Sequence, residues 1–579
     1  SAAGTTYPDP ILLGKGRYEW DFGDGYYLRY DPADPTKTHS GICAVHYYMS
    51  PGTYTVVLKV SVWENFDSEG RPIGDPLEVE TATLTIQVDG EAPMPGFEIQ
   101  RAPFDNRIRQ YLYIQIPTEH RGSATKLRVS LIGPEPSVVK TLLEKTGLSS
   151  EEIVLLDHST LPKGNYVVQA ELFNPDGTRL PGGIWRDKFY KHYDNMPAIG
   201  IDEHNNFVIN GQPFFLISTF MTDKPRIEIF KTEGGINSLF HVGYYRENTP
   251  ATWNDYLKVA GANGLFAIGP GTGSYAPIFQ PAPAQRWKRN LNPNIMAEYI
   301  LKNREEAALF AWSWIDEPNR GGWTQKVYPP TIAAWGYIVR HFDPLHPHLV
   351  NYYGFDWLPY YKSSLTQYDY LASAPWFGGK KTLLPIISFD IHTSRYRLHT
   401  TLNQPDRGPY DLYLEALDRI ILNNKNLVPV IASIMPCNGY RWPEAEHSSQ
   451  EVFMEAWMNV IHGVKGIMWF PYHVPETIRW DALKKFSDQI ARLTPVLGSP
   501  PVSRRVWDDA NTSGKRVDTM VRQYGGFLYL FAVRVTEHDP SPSRVTLQFR
   551  GAPGTFIPAG TPAWDPTNNG YWYTWTEAT

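Results

Sequence analysis

Between residues 198 and 500 the chain alternates short apolar runs with segments whose apolar residues recur at helical spacing. The apolar runs predict buried strands at residues 207–211, 214–221, 236–242, 265–269, 308–315, 348–353, 371–374, 386–390, 427–435 and 466–470. The periodic segments predict helices at residues 252–262, 293–306, 331–342, 410–424 and 450–462. Strands that alternate with helices indicate a parallel sheet, and roughly eight such units favour a closed (β/α)8 TIM barrel. No glycine-rich phosphate loop follows the first strand, which disfavours a dinucleotide-binding fold.

The regions on either side of this alternating segment have the period-two pattern of strands. It occurs at residues 55–62, 79–88, 127–131, 166–172, 527–535 and 545–550. Residues 142–146 form one exception, which we interpret as a short helical insert. The fold class is therefore multidomain α/β: a (β/α)8 TIM barrel flanked by all-β, immunoglobulin-like sandwiches. The predicted boundaries are 1–90, 91–197, 198–500 and 501–579.

Composition narrows the classes of partner. The 579-residue chain has a net charge of -6 and no long basic run, so nucleic acid is not expected as its partner. No apolar run is long enough to span a bilayer. Aromatic residues make up 14% of the chain, and their flat rings either fill cores or stack on sugars. The small residues at positions 1–4 are expected after signal removal or trimming, which favours a secreted protein.

The two cysteines, Cys43 and Cys437, are far apart in sequence. We expect free, buried thiols rather than a disulfide. No cluster of histidines and carboxylates has metal-binding spacing, so neither a metal nor another cofactor is predicted. The barrel region also lacks the G-x-S-x-G elbow of a serine hydrolase.

The candidate chemistry lies in residues 308–319, A-L-F-A-W-S-W-I-D-E-P-N. Pro318 cannot donate to a strand ladder, so Asp316 and Glu317 are expected at the carboxyl end of the strand, where barrels build active sites. A carboxylic acid among tryptophans has a raised pKa, which suits a general acid. The alternative is that Glu317 caps the next segment or pairs with Arg320.

Four segments together resemble clan A (β/α)8-barrel glycoside hydrolases. They are W-I-D-E-P-N at 314–319, D-P-L-H-P at 343–347, S-F-D-I-H at 388–392 and I-H-G-V-K-G-I-M-W-F at 461–470. The resemblance implies that Glu317 is the general acid/base. Asp316 stands where that clan has the Asn that contacts the sugar 2-hydroxyl. Either repulsion between the adjacent carboxylates raises the pKa of Glu317, or the substrate binds in a different geometry.

A second resemblance concerns the N-terminal region. The segments W-D-F-G-D-G at 20–25 and P-G-T-Y-T-V at 51–56 resemble the PKD domain, a small immunoglobulin-like sandwich found on secreted hydrolases. The resemblance implies a spacer role for this region, with sugar binding as the less favoured alternative.

The second catalytic carboxylate is less clearly marked. Clan A enzymes carry a nucleophilic Glu at the end of the seventh strand, but residues 428–435 contain no acid. The candidates are Glu444, Asp390 and Glu446. Glu444 and Glu446 would otherwise be the acidic first turn of the next helix, and Asp390 would only position a sugar hydroxyl. A partner farther from Glu317 would favour inversion, so the stereochemical course stays open.

Aromatic and polar side chains after the strand ends are the candidates for sugar binding. Besides Asp316, they are His241, Tyr244, His392, Trp442, Trp469 and Tyr472. For His241 and Trp469 the alternative is a place in the core, and for Trp442 it is surface packing.

The sequence thus predicts a secreted glycosidase that acts on a polysaccharide or its oligosaccharides by carboxylic acid/base catalysis. The main alternative is a carbohydrate-binding or surface-assembly protein whose barrel lost its nucleophile. A polysaccharide lyase is a third possibility, for which Arg246 and Arg395 would bind a uronate.

Overall fold

The structure is a computed structural model. It describes residues 16–28, 46, 48, 50–65, 73–91, 94–101, 109–122, 124–133, 138–157, 160–162, 164–191, 199–202, 204–220, 226–240, 250–270, 293–314, 335–336, 338–339, 342–343, 345–353, 386–391, 409–424, 428–437, 447–471, 478–502, 506–508, 516–535, 544–549, 564–565 and 570–576. All elements and bounds below belong to this part of the chain.

The first β region is one antiparallel sheet with the strand order β2-β1-β3-β4. Its strands are β1 Gly16–Asp21, β2 Tyr27–Leu28, β3 Gly52–Val62 and β4 Glu78–Val88. Tyr18 and Trp20 of β1 are buried, as are Val56, Leu58 and Val60 of β3, because alternate residues of a strand share a face. The strands agree with the predicted period-two pattern, and the PKD-like identity stays a prediction.

The second β region forms two antiparallel sheets around one core. The strands are β5 Glu98–Arg101, β6 Arg109–Gln115, β7 Lys126–Ile132, β8 Val138–Lys145, β9 Glu151–Asp157, β10 Gly164–Phe173 and β11 Arg179–Lys191. The sheet orders are β11-β10-β7-β8 and β5-β6-β9. Leu112 and Val154 of one sheet belong to the same buried cluster as Val129 and Val168 of the other.

The helical insert predicted at residues 142–146 is wrong, because residues up to Lys145 belong to β8. Val129 of β7 pairs with Leu143, and the next residue, Ser130, pairs with Thr141. This register shift passes over Leu142, so two successive leucines interrupt the alternation that marks a strand.

The alternating region forms an eight-stranded parallel sheet with the order β18-β17-β16-β15-β22-β21-β20-β19. Its strands are β15 Leu216–Phe220, β16 Ser238–Phe240, β17 Phe266–Gly269, β18 Leu309–Trp312, β19 Leu349–Tyr353, β20 Ile386–Asp390, β21 Val430–Ile434 and β22 Gly466–Trp469. A parallel bridge between Trp312 and His348 joins the two ends of this order. The arrangement fits the predicted (β/α)8 barrel.

Helices occupy several of the connections between these strands. They are α1 Ile227–Gly234, α2 Pro250–Ala262, α3 Pro293–Asn303, α4 Pro409–Asn424, α5 Ser449–Ile461 and α6 Trp480–Leu497. A small three-stranded sheet precedes the first barrel strand and consists of β12 Ile199–Ile201, β13 Phe207–Ile209 and β14 Gln212–Phe214. No described helix is long and apolar enough to cross a membrane.

The C-terminal region is antiparallel, as predicted. Its strands are β23 Val506–Asp508, β24 Arg516–Tyr524, β25 Phe527–Val535, β26 Arg544–Phe549, β27 Trp564–Asp565 and β28 Gly570–Thr576. They form a hairpin, β24-β25, and a four-stranded sheet with the order β23-β26-β28-β27.

The chain divides into two compact units. One unit consists of Ser1–Gly211, Ser238–Ser388 and Leu427–Pro429, and the other of Gln212–Asn237, Phe389–Asn426 and Val430–Thr579. In the second unit, Phe486 of α6 contacts the rings of Phe215, Trp457 and Trp469. The predicted domain boundaries stay predictions.

Candidate active site

The fourth strand, β18, leads to the predicted acid. All four of its residues are buried, and Trp312 and Trp314 stack with their ring planes 3° apart and their centroids 5.5 Å apart. Trp314 also makes an edge contact with Tyr299 of α3, at 6.2 Å between centroids. The segment is thus fixed in the core as far as residue 314. Asp316 and Glu317 follow directly and lie outside the described residues.

Asp343 is a buried carboxylate that holds the end of β18. Its Oδ2 accepts hydrogen bonds from Trp312 Nε1 at 2.7 Å and His346 Nδ1 at 2.8 Å. Its Oδ1 accepts from the backbone N–H groups of Leu345 at 3.1 Å and His346 at 3.2 Å. Burial raises the pKa of Asp343, but the charge of His346 and the hydrogen bonds outweigh burial and hold that pKa below its usual range.

In the sequence, the segment D-P-L-H-P marks only the entry to the fifth strand. In the structure Asp343 has a second role, because its hydrogen bond holds the ring of Trp312. Trp312 lies five residues before the candidate acid, Glu317, in the sequence. The Asp-x-x-His spacing of Asp343 and His346 is the sequence signal from which their contact could have been predicted. The nearby His348 is fully buried, and burial lowers its pKa to about 3, so this histidine is a neutral core residue.

Asp390 is the candidate catalytic carboxylate that the structure describes. It is the last residue of β20, all of whose residues are buried, and 7% of Asp390 is exposed. It therefore lies at the carboxyl end of the sixth barrel strand, where the sequence placed it. The role of Asp390 as nucleophile or base stays a prediction.

The seventh strand, β21, is entirely buried and has the sequence V-I-A-S-I, so the described strand contains no carboxylate. Trp469, at the end of β22, is fully buried, and its ring makes an edge contact with Phe486 of α6 at 5.8 Å. This contact belongs to the packing of strand against helix, which was the alternative interpretation of Trp469. A part for Trp469 in sugar binding stays a prediction.

The other candidates fall outside the described residues. They are His241, Tyr244, His392, Trp442, Glu444, Glu446 and Tyr472. Cys43 also lies outside, whereas Cys437 is a free, buried thiol whose Sγ donates to the carbonyl of Pro471 at 3.4 Å. Within the described ranges, no group of three or more His, Cys, Asp or Glu residues could hold a metal ion.

Comparisons with known proteins give structural neighbours only. No family model and no curated protein matches the chain. A β-glucuronidase of Parabacteroides merdae is 8% identical and has a TM-score of 0.33, with 92% of this chain and 84% of that chain covered.

Mannanases are among the other structural neighbours. A β-1,4-mannanase of the sea hare Aplysia kurodai is 14% identical, with a TM-score of 0.34 and coverage of 51% of this chain and 96% of that chain. An endo-β-1,4-mannanase of Thermotoga petrophila is 12% identical, with a TM-score of 0.33 and coverage of 59% and 96%. TM-scores this low carry no inference about the fold or activity of this chain, which rest on its own strand order and residues.

Proposed function

We propose that this protein is a secreted glycoside hydrolase that cleaves a polysaccharide or its oligosaccharides, with Glu317 as the general acid/base. One observation carries the proposal: the segment W-I-D-E-P-N continues from the buried fourth strand of an eight-stranded parallel sheet. In barrels of this kind, residues at the carboxyl ends of the strands form the active site.

The proposed chemistry requires a proton on Glu317 before cleavage. Glu317 donates this proton to the leaving glycosidic oxygen while a second carboxylate attacks the anomeric carbon or activates a water. Tryptophans beside an acid exclude water and raise its pKa, and Trp312 and Trp314 are fully buried. Asp390, Glu444 and Glu446 remain the candidates for the second carboxylate.

The absence of an acid from β21 supports one alternative, a carbohydrate-binding protein without hydrolytic activity. The two functions differ in what Glu317 does. A hydrolase needs its proton, whereas a binding protein needs only a polar group that contacts the sugar.

The test measures reducing-sugar release from β-glucans, mannans, xylans and galactans by wild type and Glu317→Gln. We expect release by wild type from at least one polymer and a loss of at least about 100-fold in the variant, which keeps its shape but has no acidic proton. Glu305→Gln is the matched control, because Glu305 is exposed just before β18, and it should keep wild-type activity. Sugar binding without release by wild type would instead support the binding protein.

A further inference from the structure

Asp390 faces the inside of the barrel. The ring of the preceding residue, Phe389, contacts Tyr413 of α4 at 6.5 Å between centroids, so Phe389 faces the helices. Successive residues of a strand point to opposite faces of the sheet. Asp390 therefore points away from the helices, and as the last residue of β20 it lies at the carboxyl end of the barrel.

Ser433 of the seventh strand faces the same interior. Trp469 of β22 contacts Phe486 of α6 and so faces the helices, and Ile434 is paired with Trp469. Paired residues of neighbouring strands share a face of the sheet, so Ile434 also points outward. Ser433, one residue earlier, points inward, and so does its own pairing partner, Met468.

Asp390 and Ser433 lie side by side on neighbouring strands. The backbone N–H of Ile387 donates to the carbonyl of Pro429 at 3.1 Å, and in a parallel ladder this bond pairs Ile387 with Val430. Three residues farther along each strand, Asp390 comes opposite Ser433. This register agrees with the inward direction of both side chains. Because neighbouring strands are about 4.8 Å apart, the two side chains start about that far from each other.

The hydroxyl group of Ser433 has unused hydrogen-bonding capacity. Ser433 is buried, and its Oγ has no hydrogen-bond partner among the residues that the structure describes. Buried hydroxyl groups are normally hydrogen-bonded, so this one is expected to bind a water or a polar group of a ligand. A water that bonds to two oxygens spans up to about 5.5 Å between them. One water can therefore bond to both Ser433 and Asp390.

Asp390 is set back from the barrel mouth, since 93% of its surface is covered and only 7% is exposed. Phe220 and Phe470 lie nearer the mouth, with their ring centroids 5.1 Å apart. They follow by two residues the paired, inward-facing Ser218 and Met468, so they belong to the same inner face. For direct attack, the Asp390 carboxylate would have to come within about 3 to 3.5 Å of the anomeric carbon. A recessed carboxylate instead suits a base that acts through a water.

We propose that Asp390 is the second catalytic carboxylate and acts as a general base, and that Ser433 holds the water that Asp390 activates. The proposal rests on the proposed function, and it favours Asp390 over Glu444 and Glu446 for the second role. The new site consists of Asp390 and Ser433 alone, both in the second compact unit.

The reaction at this site is a single displacement. The water oxygen forms a bond to the anomeric carbon while the bond from that carbon to the leaving glycosidic oxygen breaks. Asp390 takes a proton from the water, and the general acid of the proposed function gives its proton to the leaving oxygen. Such a displacement inverts the configuration of the anomeric carbon.

The first test therefore measures the configuration of the product. Proton NMR follows the anomer that wild type releases first from the active polymer. The inverted anomer is expected. The retained anomer would overturn the role of Asp390 and Ser433 and leave the glycosidase standing.

Ser433→Ala and Ser218→Ala form a matched pair for the second test. Ser218 is also a buried, inward-facing serine whose Oγ has no partner among the described residues, but it lies three strands from Asp390. One water cannot bridge that separation, which is roughly 14 Å along the sheet. We expect Ser433→Ala to lower kcat by about 10- to 100-fold with little change in KM, because a misplaced water slows the chemical step. Ser218→Ala should match wild type, and equal kcat in the two variants would overturn the role of Ser433.

Asp390→Asn removes the base and should lower kcat by at least about 100-fold. A variant with wild-type kcat would overturn the role of Asp390. Circular dichroism checks that each variant is folded. Ser433→Ala should be as stable as wild type in urea, because the lost hydroxyl has no partner among the described residues. If Asp390→Asn does not fold, the two serine variants and the product configuration still decide the proposal.

Failure of the proposed function has a different signature. Wild type that releases no sugar from any polymer overturns the glycosidase and, with it, the roles of Asp390 and Ser433. Release by wild type with retained configuration, or with equal kcat in Ser433→Ala and Ser218→Ala, overturns only the inference drawn from this site.

Discussion

His462 is bonded to two carboxylates, and this arrangement predicts a defined loss of stability at alkaline pH. Its Nδ1 lies 2.6 Å from Asp418 Oδ1, and its Nε2 lies 3.0 Å from Asp518 Oδ2. A neutral imidazole has one N–H, so it can donate to only one of the two acceptors. Both bonds form when the ring is an imidazolium, which also suits its place at the C-terminal end of α5.

The magnitude follows from the pKa of His462. Burial lowers this pKa, but hydrogen bonds to Asp418 and Asp518 and their charges outweigh burial and raise it from 6.5 to about 9. At about 1.4 kcal/mol per pKa unit, the rise from 6.5 to about 9 corresponds to at most about 3.5 kcal/mol of folding free energy. Asp418 is half exposed, so solvent screens its share, and we expect about 2 kcal/mol.

The sign follows from the direction of the shift. The folded pKa lies above the unfolded one, so the stabilisation is fully present below pH 6.5 and is lost as the pH rises through about 9. The assay is urea unfolding of wild type and His462→Gln from about pH 6 to about pH 10. Wild type should be the more stable protein at the acidic end, and the difference should shrink across this range.

His120→Gln is the control. His120 lies in a short 3-10 turn and has no carboxylate partner among the described residues, so its replacement shows the effect of losing an imidazole that forms no such pair. The explanation by a charged His462 would be refuted if wild type and His462→Gln differed in free energy of unfolding by as much at about pH 10 as at about pH 7.

Two further predictions concern stability. Gly235 has a φ of 63°, and a Cβ at this position would lie 2.6 Å from Ser487 Cβ, whereas Gly264 has a φ of 67° and open space. Gly235→Ala should therefore lower the free energy of unfolding by about 1 to 3 kcal/mol more than Gly264→Ala in urea titrations, and equal losses would exclude the clash. Asp343→Asn should lower the free energy of unfolding by about 3 kcal/mol because it breaks the buried pair with His346. Since the pKa of Asp343 is lowered in the folded protein, the difference in unfolding free energy between wild type and this variant should shrink as the pH falls. A gap that persists in acid would contradict a role for the Asp343 charge.

The barrel strands were predictable because each is short, apolar and ended by a breaker or a polar residue. The prediction for residues 386–390 agrees with β20 at both ends, and that for residues 265–269 differs from β17 by one residue. The helix α6 was not predicted, although Leu483, Phe486 and Ile490 recur at helical spacing and all three are buried. That spacing is a sufficient sequence signal for a helix at this position.

Side-chain contacts between residues far apart in sequence could not be predicted in the same way. Arg479 bonds to main-chain carbonyls, which every residue type carries, so no sequence pattern marks its partners. The partners of His462 lie 44 and 56 positions away and become visible only when the chain folds. The assignment of Glu317 as the acid depends on the sequence motif at residues 314–319 and on the buried strand β18 that precedes it.

The hairpin β24-β25 is attached to the helical layer through aromatic packing. Trp457 of α5 stacks on Phe531 of β25 at 5.7 Å between centroids, and its Nε1 donates to Gln489 of α6 at 2.9 Å. Both rings are less than one-tenth exposed. Removal of the hairpin would expose Trp457 to water and leave an apolar patch on α5. The hairpin is therefore not an independent module: a chain shortened before β24 would need a polar replacement for Trp457 to avoid an exposed apolar patch.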